Sequence, residues 1–495
     1  MQKSFVGFVV ARSGDISMVF GVKFLSVVEG TLACAATATM MYFGNGLNPV
    51  WPLMWVAPLP VLWFATRRGR WSAALVAGIA SLAGALTYWE YFRVLGLPVV
   101  AWLGGFGVAA VVFALVVVLF RALLLRNRVA SAALAFPAAW VAFEYVRNLL
   151  WPHGSGGSLA YSQLHFLPFL QLASLTGPWG MTFVLMLFPA GLAAAWQLRK
   201  EVRTASRVLL FTVGTVGAVL IFGSVRLAMP QPGPEVRVAL VASDAQGNEG
   251  VAAAGPNTQK LVQAYVTRLR ILDGGALRNV RAIVLPEKLG QVTDADVAEV
   301  DAVLQKLADE TGATVVAGFD HQSGTVAYNQ VRLYEPGAAV RSYDKEHLLP
   351  PFELEFTPGK ELVLLQHPHN AWGVEICKDM DFTNPSRQYG REGAGLMLVP
   401  AWDFNLDRAW HGHIAVMRGV EDGFSVSRAA KDGFLTVSNN RGKILEETRS
   451  DSAPFAMMIA TVPAGHSWTV FQLMGDWFAW IAIALLILTI VRLWT

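Results

Sequence analysis

Up to about residue 227 the chain is a succession of seven apolar stretches, centred near Ala35, Ala57, Ala80, Val111, Ala139, Leu187 and Val216. A bilayer core takes roughly 20 apolar residues of helix to cross. With no water there to satisfy the backbone, such stretches fold as helices. The second stretch is interrupted by Pro52, Pro58 and Pro60, which leaves its ends poorly set. An eighth run, Trp477 to Leu493, closes the chain. Charged residues make up only 15% of the sequence, against about 25% in soluble proteins, which points to an integral membrane protein. Met1 to about Lys23 is mixed and weakly apolar, so the first long run is expected to be a retained span rather than a cleaved signal.

Between about Pro230 and Gly475 the composition changes. Charges appear and strand patterns alternate with helix patterns. The expected organisation is a transmembrane domain of about seven spans over 1–229, a polar α/β domain over 230–474, and a C-terminal transmembrane helix over 475–495. Arg67, Arg68 and Arg70, then Arg121, Arg126 and Arg128, then Arg199, Lys200, Arg203 and Arg207 fall in alternate loops. Positive loops favour the cytoplasmic side. Seven crossings then place residue 230 outside, and the polar domain is expected to face the periplasm or exterior. The formal net charge of +3 gives no argument for nucleic acid.

Only two cysteines are present, Cys34 in an apolar stretch and Cys377 in the polar domain. Outside the cytoplasm structural cysteines normally pair, and Cys377 has no partner within its domain. Its bland reading is a small buried hydrophobe. Two upstream segments change that reading. Glu287 ends the run Ile283-Val284-Leu285-Pro286, and Lys345 follows Tyr343-Asp344, each beside a strand, as Cys377 is. Taken singly, Glu287 reads as a solvated loop carboxylate and Lys345 as a surface charge. Together the three are the groups a thioester requires. A base takes the thiol proton, and an ammonium with a backbone N–H, here that of Lys378, faces the oxyanion. Glu353, eight residues after Lys345, either holds that lysine or forms a loop salt bridge. His411 and His413, two apart on an expected helix, suit no common zinc site, and His367 and His369 flank Pro368 in a loop. No metal or cofactor is expected.

The Glu287, Lys345 and Cys377 segments resemble the nitrilase (carbon–nitrogen hydrolase) superfamily. The whole layout is similar to the apolipoprotein N-acyltransferase family. Ala160-Tyr161-Ser162-Gln163 and Leu170 to Gly180 resemble that family's loop before its sixth span. The resemblance implies an αββα sandwich on a membrane bundle, in the bacterial cytoplasmic membrane. It implies Glu287 as general base, Lys345 as oxyanion lysine and Cys377 as nucleophile, with Glu353 as a second glutamate. It further implies a phospholipid acyl donor and a lipid-modified protein acceptor. The family's usual Cys-Tyr-Glu is here Cys377-Lys378-Asp379, in which Asp379 keeps a shorter carboxylate and Lys378 replaces an aromatic. That departure keeps open a membrane-tethered amidase, in which water resolves the thioester.

Overall fold

The computed structural model describes residues 25–244, 251–272, 275–367 and 370–494. The expected uncleaved start and His369 lie outside the described residues. The described residues form two compact units, the first from within 25–143, 182–217 and 481–494, the second from within 144–181 and 218–480.

Among the described residues five helices are long and apolar enough to cross a membrane: Arg70–Val94, Val99–Leu125, Val129–Leu150, Ala173–Gln197 and Val202–Ala228. Residues 25–44 are also helical, and the final apolar run is the shorter helix Trp477–Trp494. The second apolar stretch is a 3-10 turn, Trp51–Trp55, and a nine-residue helix, Leu59–Arg67, parted at Pro58. Proline lacks the N–H that would continue the ladder, and nine residues of helix reach only about 14 Å. In the first unit Arg121 Nε donates to the carbonyl of Arg68 at 2.8 Å, so two of the basic loops meet at one end.

The polar part of the second unit is built on two sheets. The first contains β1 (Glu235–Ala242), β2 (Val280–Val284), β3 (Gln291–Thr293), β4 (Thr314–Ser323), β5 (Val326–Tyr334) and β6 (Arg341–Asp344). The second contains β7 (Leu364–His367), β8 (Asn370–Val374), β9 (Ala394–Trp402), β10 (Ser425–Lys431), β11 (Phe434–Ser438) and β12 (Ile444–Arg449). β13 (Ala456–Pro463) returns to pair with β1, giving the order β13-β1-β2-β4-β5-β6, with β3 also on β4. The second sheet runs β12-β11-β10-β9-β8-β7. β1, β2 and β4 are parallel neighbours, as are β8, β9 and β10.

Side chains alternate across a strand. Along β1, Val238 and Leu240 face a core shared with Leu396, Leu398 and Val437 of the second sheet. Ala239 and Val241 face the opposite way, onto the helices Pro256–Leu272 and Val297–Thr311. Both faces are covered, which is why these strands read as unbroken apolar runs. On the far side Ala415 of the helix Arg408–Asp422 packs with Met397 and Val399. The layers are helix, sheet, sheet, helix. In Val297–Thr311 the buried Val300, Leu304 and Leu307 recur at helical spacing. The helix closes at Gly312, whose φ of 68° suits a residue without a Cβ.

Candidate active site

Glu287 lies just past the end of β2, Lys345 just past β6, and Cys377 opens a 3-10 turn just past β8. Strand ends in such sheets leave a crevice in which side chains from separate segments meet. Gly318 makes the Glu287 turn fit. A Cβ there would sit 2.6 Å from the Glu287 Cα and 2.8 Å from the Pro286 carbonyl oxygen, and the Gly318 N–H donates to that carbonyl at 3.0 Å. Two non-glycine residues of the site hold left-handed backbone, Cys377 at φ 43° and Lys288 at φ 50°. Such conformations cost about 1 kcal/mol or more and cluster where a side chain must be aimed.

The sequence-derived residues converge on one cavity of about 410 Å³, lined by Glu287, Lys345, Cys377, Glu353 and Lys378. Lys345 Nζ lies 2.8 Å from Glu287 Oε1 and 2.9 Å from Glu353 Oε2. Burial alone would lower the Lys345 pKa. The carboxylates of Glu287 and Glu353 overcome it and hold the ammonium well above its ordinary value. Burial would likewise raise the Glu353 carboxyl, but Lys345 and Lys288 pull it down to about 2. Burial pushes the Cys377 thiol well up, and the charge of Glu287 adds to this, while Lys345 and Arg428 oppose it. A thiol held this high rests protonated.

Asp379 does not line the cavity. Its carboxylate accepts from the N–H groups of Ile376 (3.1 Å), Glu346 (3.1 Å) and His347 (2.7 Å), and from the hydroxyl of Tyr343 (2.8 Å). It thereby ties the Cys377 turn to the segment that carries Lys345. Lys378 turns its ammonium to Nδ1 of His153 at 3.0 Å.

Several groups around this site are not evident from the sequence. Asn329 on β5 donates to Glu287 Oε1 at 2.6 Å and Glu353 Oε1 at 2.7 Å. Lys288 pairs with Glu353 at 2.9 Å. Arg428 on β10 forms a two-pronged pair with Asp403, at 2.5 and 2.8 Å, and its Nη2 lies 3.9 Å from Cys377 Sγ. A guanidinium in the buried strand Ser425–Lys431 is the signal that marks Arg428. Asn329, polar and fully buried on β5, gives a weaker one.

Two family descriptions match the chain. Residues 30–191 match the apolipoprotein N-acyltransferase N-terminal domain, and residues 276–465 match carbon-nitrogen hydrolase. The chain thus pairs an N-terminal region similar to the apolipoprotein N-acyltransferase family with a carbon-nitrogen hydrolase region. Among relatives named apolipoprotein N-acyltransferase, the one from Geobacter metallireducens is 27% identical over 476 residues, covering 88% of this chain and 89% of its own. The one from Thermotoga maritima is 23% identical over 516 residues, covering 94% of this chain and 93% of its own. The crystal structure of Saccharomyces cerevisiae Nit3, of branch 10 of the nitrilase superfamily, is 19% identical, with a TM-score of 0.40 over 49% of this chain and 94% of that one. The helical bundle with an αββα nitrilase-like sandwich is the architecture expected of the apolipoprotein N-acyltransferase family from the sequence.

Proposed function

We propose that this chain is a membrane-embedded N-acyltransferase. It moves a fatty acyl chain from a phospholipid to the α-amine of a lipid-modified exported protein, through a thioester on Cys377. The reading rests on one observation above the others: Glu287, Lys345 and Cys377, from three distant segments, line a single cavity in a chain similar to this family. The functional division proposed is a transmembrane domain over 1–229, an exported polar catalytic domain over 230–474 and a C-terminal transmembrane helix over 475–495, in the bacterial cytoplasmic membrane.

Glu287 takes the thiol proton as Sγ attacks the ester carbonyl. The oxyanion is met by the Lys345 ammonium and the Lys378 N–H. The tetrahedral intermediate collapses, and the lysophospholipid oxygen leaves with the proton from Glu287. The acceptor amine then attacks the thioester, loses a proton to Glu287, and displaces the Cys377 thiolate, which recovers that proton. Glu353 holds Lys345 and Lys288, and Asp379 fixes the Cys377 turn. Because both substrates are anchored in lipid, confinement to a surface replaces a bulk encounter.

The test is to incubate purified protein with phospholipid micelles and weigh Cys377. A fatty-acyl adduct, discharged by a lipidated peptide with a free α-amine, is the expected result. Hydrolysis of a small amide with no fatty-acyl adduct would establish the amidase instead. Cys377→Ala is expected to fail to rescue a strain lacking its own N-acyltransferase.

A further inference from the structure

Three lysines line the cavity, and two of them are already neutralised. Lys345 pairs with Glu287 and Glu353, and Lys288 pairs with Glu353. Lys378 is different. Among the described residues it has no carboxylate within ion-pair distance, and its hydrogen-bond partner is Nδ1 of His153 at 3.0 Å. An imidazole nitrogen accepts from an ammonium only when unprotonated. Burial, and then the charge of Lys378 itself, keep the His153 pKa down at about 4, so the partner is neutral.

The nearby carboxylates are committed elsewhere. Asp381 lies 3.1 Å from Nδ1 of His411, and Asp407 lies 3.2 Å from its Nε2. Phe382 offers only its ring face, 5.4 Å away. Glu355, exposed on the cavity wall, is the remaining carboxylate of the lining outside these pairs and the Lys288–Asp320 contact of 4.0 Å. Lys378 itself is 3% exposed. Burial of an ammonium without a paired counter-charge is costly and lowers the Lys378 pKa, and an anion held in the cavity that Lys378 lines would offset that cost.

We propose that Lys378 determines donor specificity by receiving the phosphate diester of the acyl-donor lipid. This rests on the acyl-transfer reading above and adds to it the group that recognises the donor. The ester carbonyl and the phosphate of a glycerophospholipid are one glycerol unit apart. The nucleophile and the ammonium are adjacent residues, Cys377 and Lys378, lining the same cavity. His153 acts through Lys378 as a positioning residue. It comes from the segment following the helix Val129–Leu150, and that segment is pinned to the turn because the Ser155 N–H and hydroxyl both donate to the Asp381 carbonyl, at 3.1 and 2.7 Å.

The experiment uses the full chain in detergent micelles, with dioleoyl phosphatidylglycerol or dioleoylglycerol as donor, and follows the acyl mass on Cys377 against lipid mole fraction. The wild type is expected to show an apparent KM for the phospholipid roughly 10- to 100-fold below that for the diacylglycerol, the range of a charge-assisted hydrogen bond. In Lys378→Met the ratio of the two KM values collapses toward one, and in Lys378→Arg most of it returns. A wild type that does not discriminate, or a ratio that persists in Lys378→Met even as both rates fall, overturns the inference. A wild type that forms no adduct with either lipid removes the acyl-transfer reading as well, so the two failures are told apart.

Discussion

Replacing Arg428 by methionine separates what this residue does for the fold from what it does for the thiol. Arg428 and Asp403 are buried together, with side chains 1% and 0% exposed. Removing one member of such a pair strands the other charge and costs about 3–5 kcal/mol. Arg428→Met alone therefore lowers the melting temperature sharply and says little about chemistry. Arg428→Met with Asp403→Leu removes both charges and is expected to recover most of that stability. The effect on Cys377 remains. At an effective dielectric near 20, a unit charge 3.9 Å from a thiolate is worth about 4 kcal/mol. The Asp403 carboxylate behind the guanidinium takes back more than half, leaving about 1–2 kcal/mol. Thiolate formation in the double variant should therefore be roughly tenfold less favourable. The assay is alkylation of Cys377 by iodoacetamide across pH in a Cys34→Ala background, so that a single thiol is read, beside a thermal melt. If the double variant alkylates at the wild-type rate, Arg428 serves packing alone and the electrostatic argument is wrong.

The other expectations concern the parts that hold the cavity together. Gly318→Ala puts a methyl group against the Glu287 backbone and should slow acyl-enzyme formation by roughly 100-fold, while alkylation of Cys377 still proceeds; wild-type acylation would refute the argument from close approach. Asp379→Ala leaves the N–H groups of Ile376, Glu346 and His347 and the Tyr343 hydroxyl without their acceptor. It should cost about 3 kcal/mol or more, read as a lowered melting temperature. Burial would lower the His411 pKa, but Asp381 and Asp407 raise it to about 10, above its unfolded value near 6.5. The ion-pair stabilisation is then fully present below about pH 6.5 and lost as pH rises through 10. The gap in melting temperature between wild type and His411→Gln should shrink across that window, and a constant gap would contradict it.

The alternation of strands and helices was legible because each element carries its own period, while the order of the layers followed only from the family resemblance. The run Val236 to Ala242 became β1, and the spacing of Val300, Leu304 and Leu307 became a helix. Glu287, Lys345 and Cys377 were legible as strand-end residues of the types a thioester requires. Their neighbours were not. The approach of His153 to Lys378 joins residues 225 positions apart, and Arg428 reaches Cys377 across 51. Nothing local marks such meetings, since they are set by which strands lie side by side. Lys378 stood out in the sequence for its backbone N–H, but its side chain and Asp379 stood out only as departures from Cys-Tyr-Glu. Asp379 is now a brace between two segments, because its short carboxylate already reaches four donors.

The interior of Arg418 bears on how this enzyme can be handled. Its guanidinium is sealed from solvent and donates to the hydroxyls of Tyr161 and Ser155, while Glu421 lies 2.5 Å from it. A fragment excised at residue 230 for soluble expression would tear away the two hydroxyls and open a charged seam to water beside the Cys377 turn. A piece that keeps the polar half intact is therefore longer than 230–474, and it must carry the segment around Ser155 and Tyr161 with it.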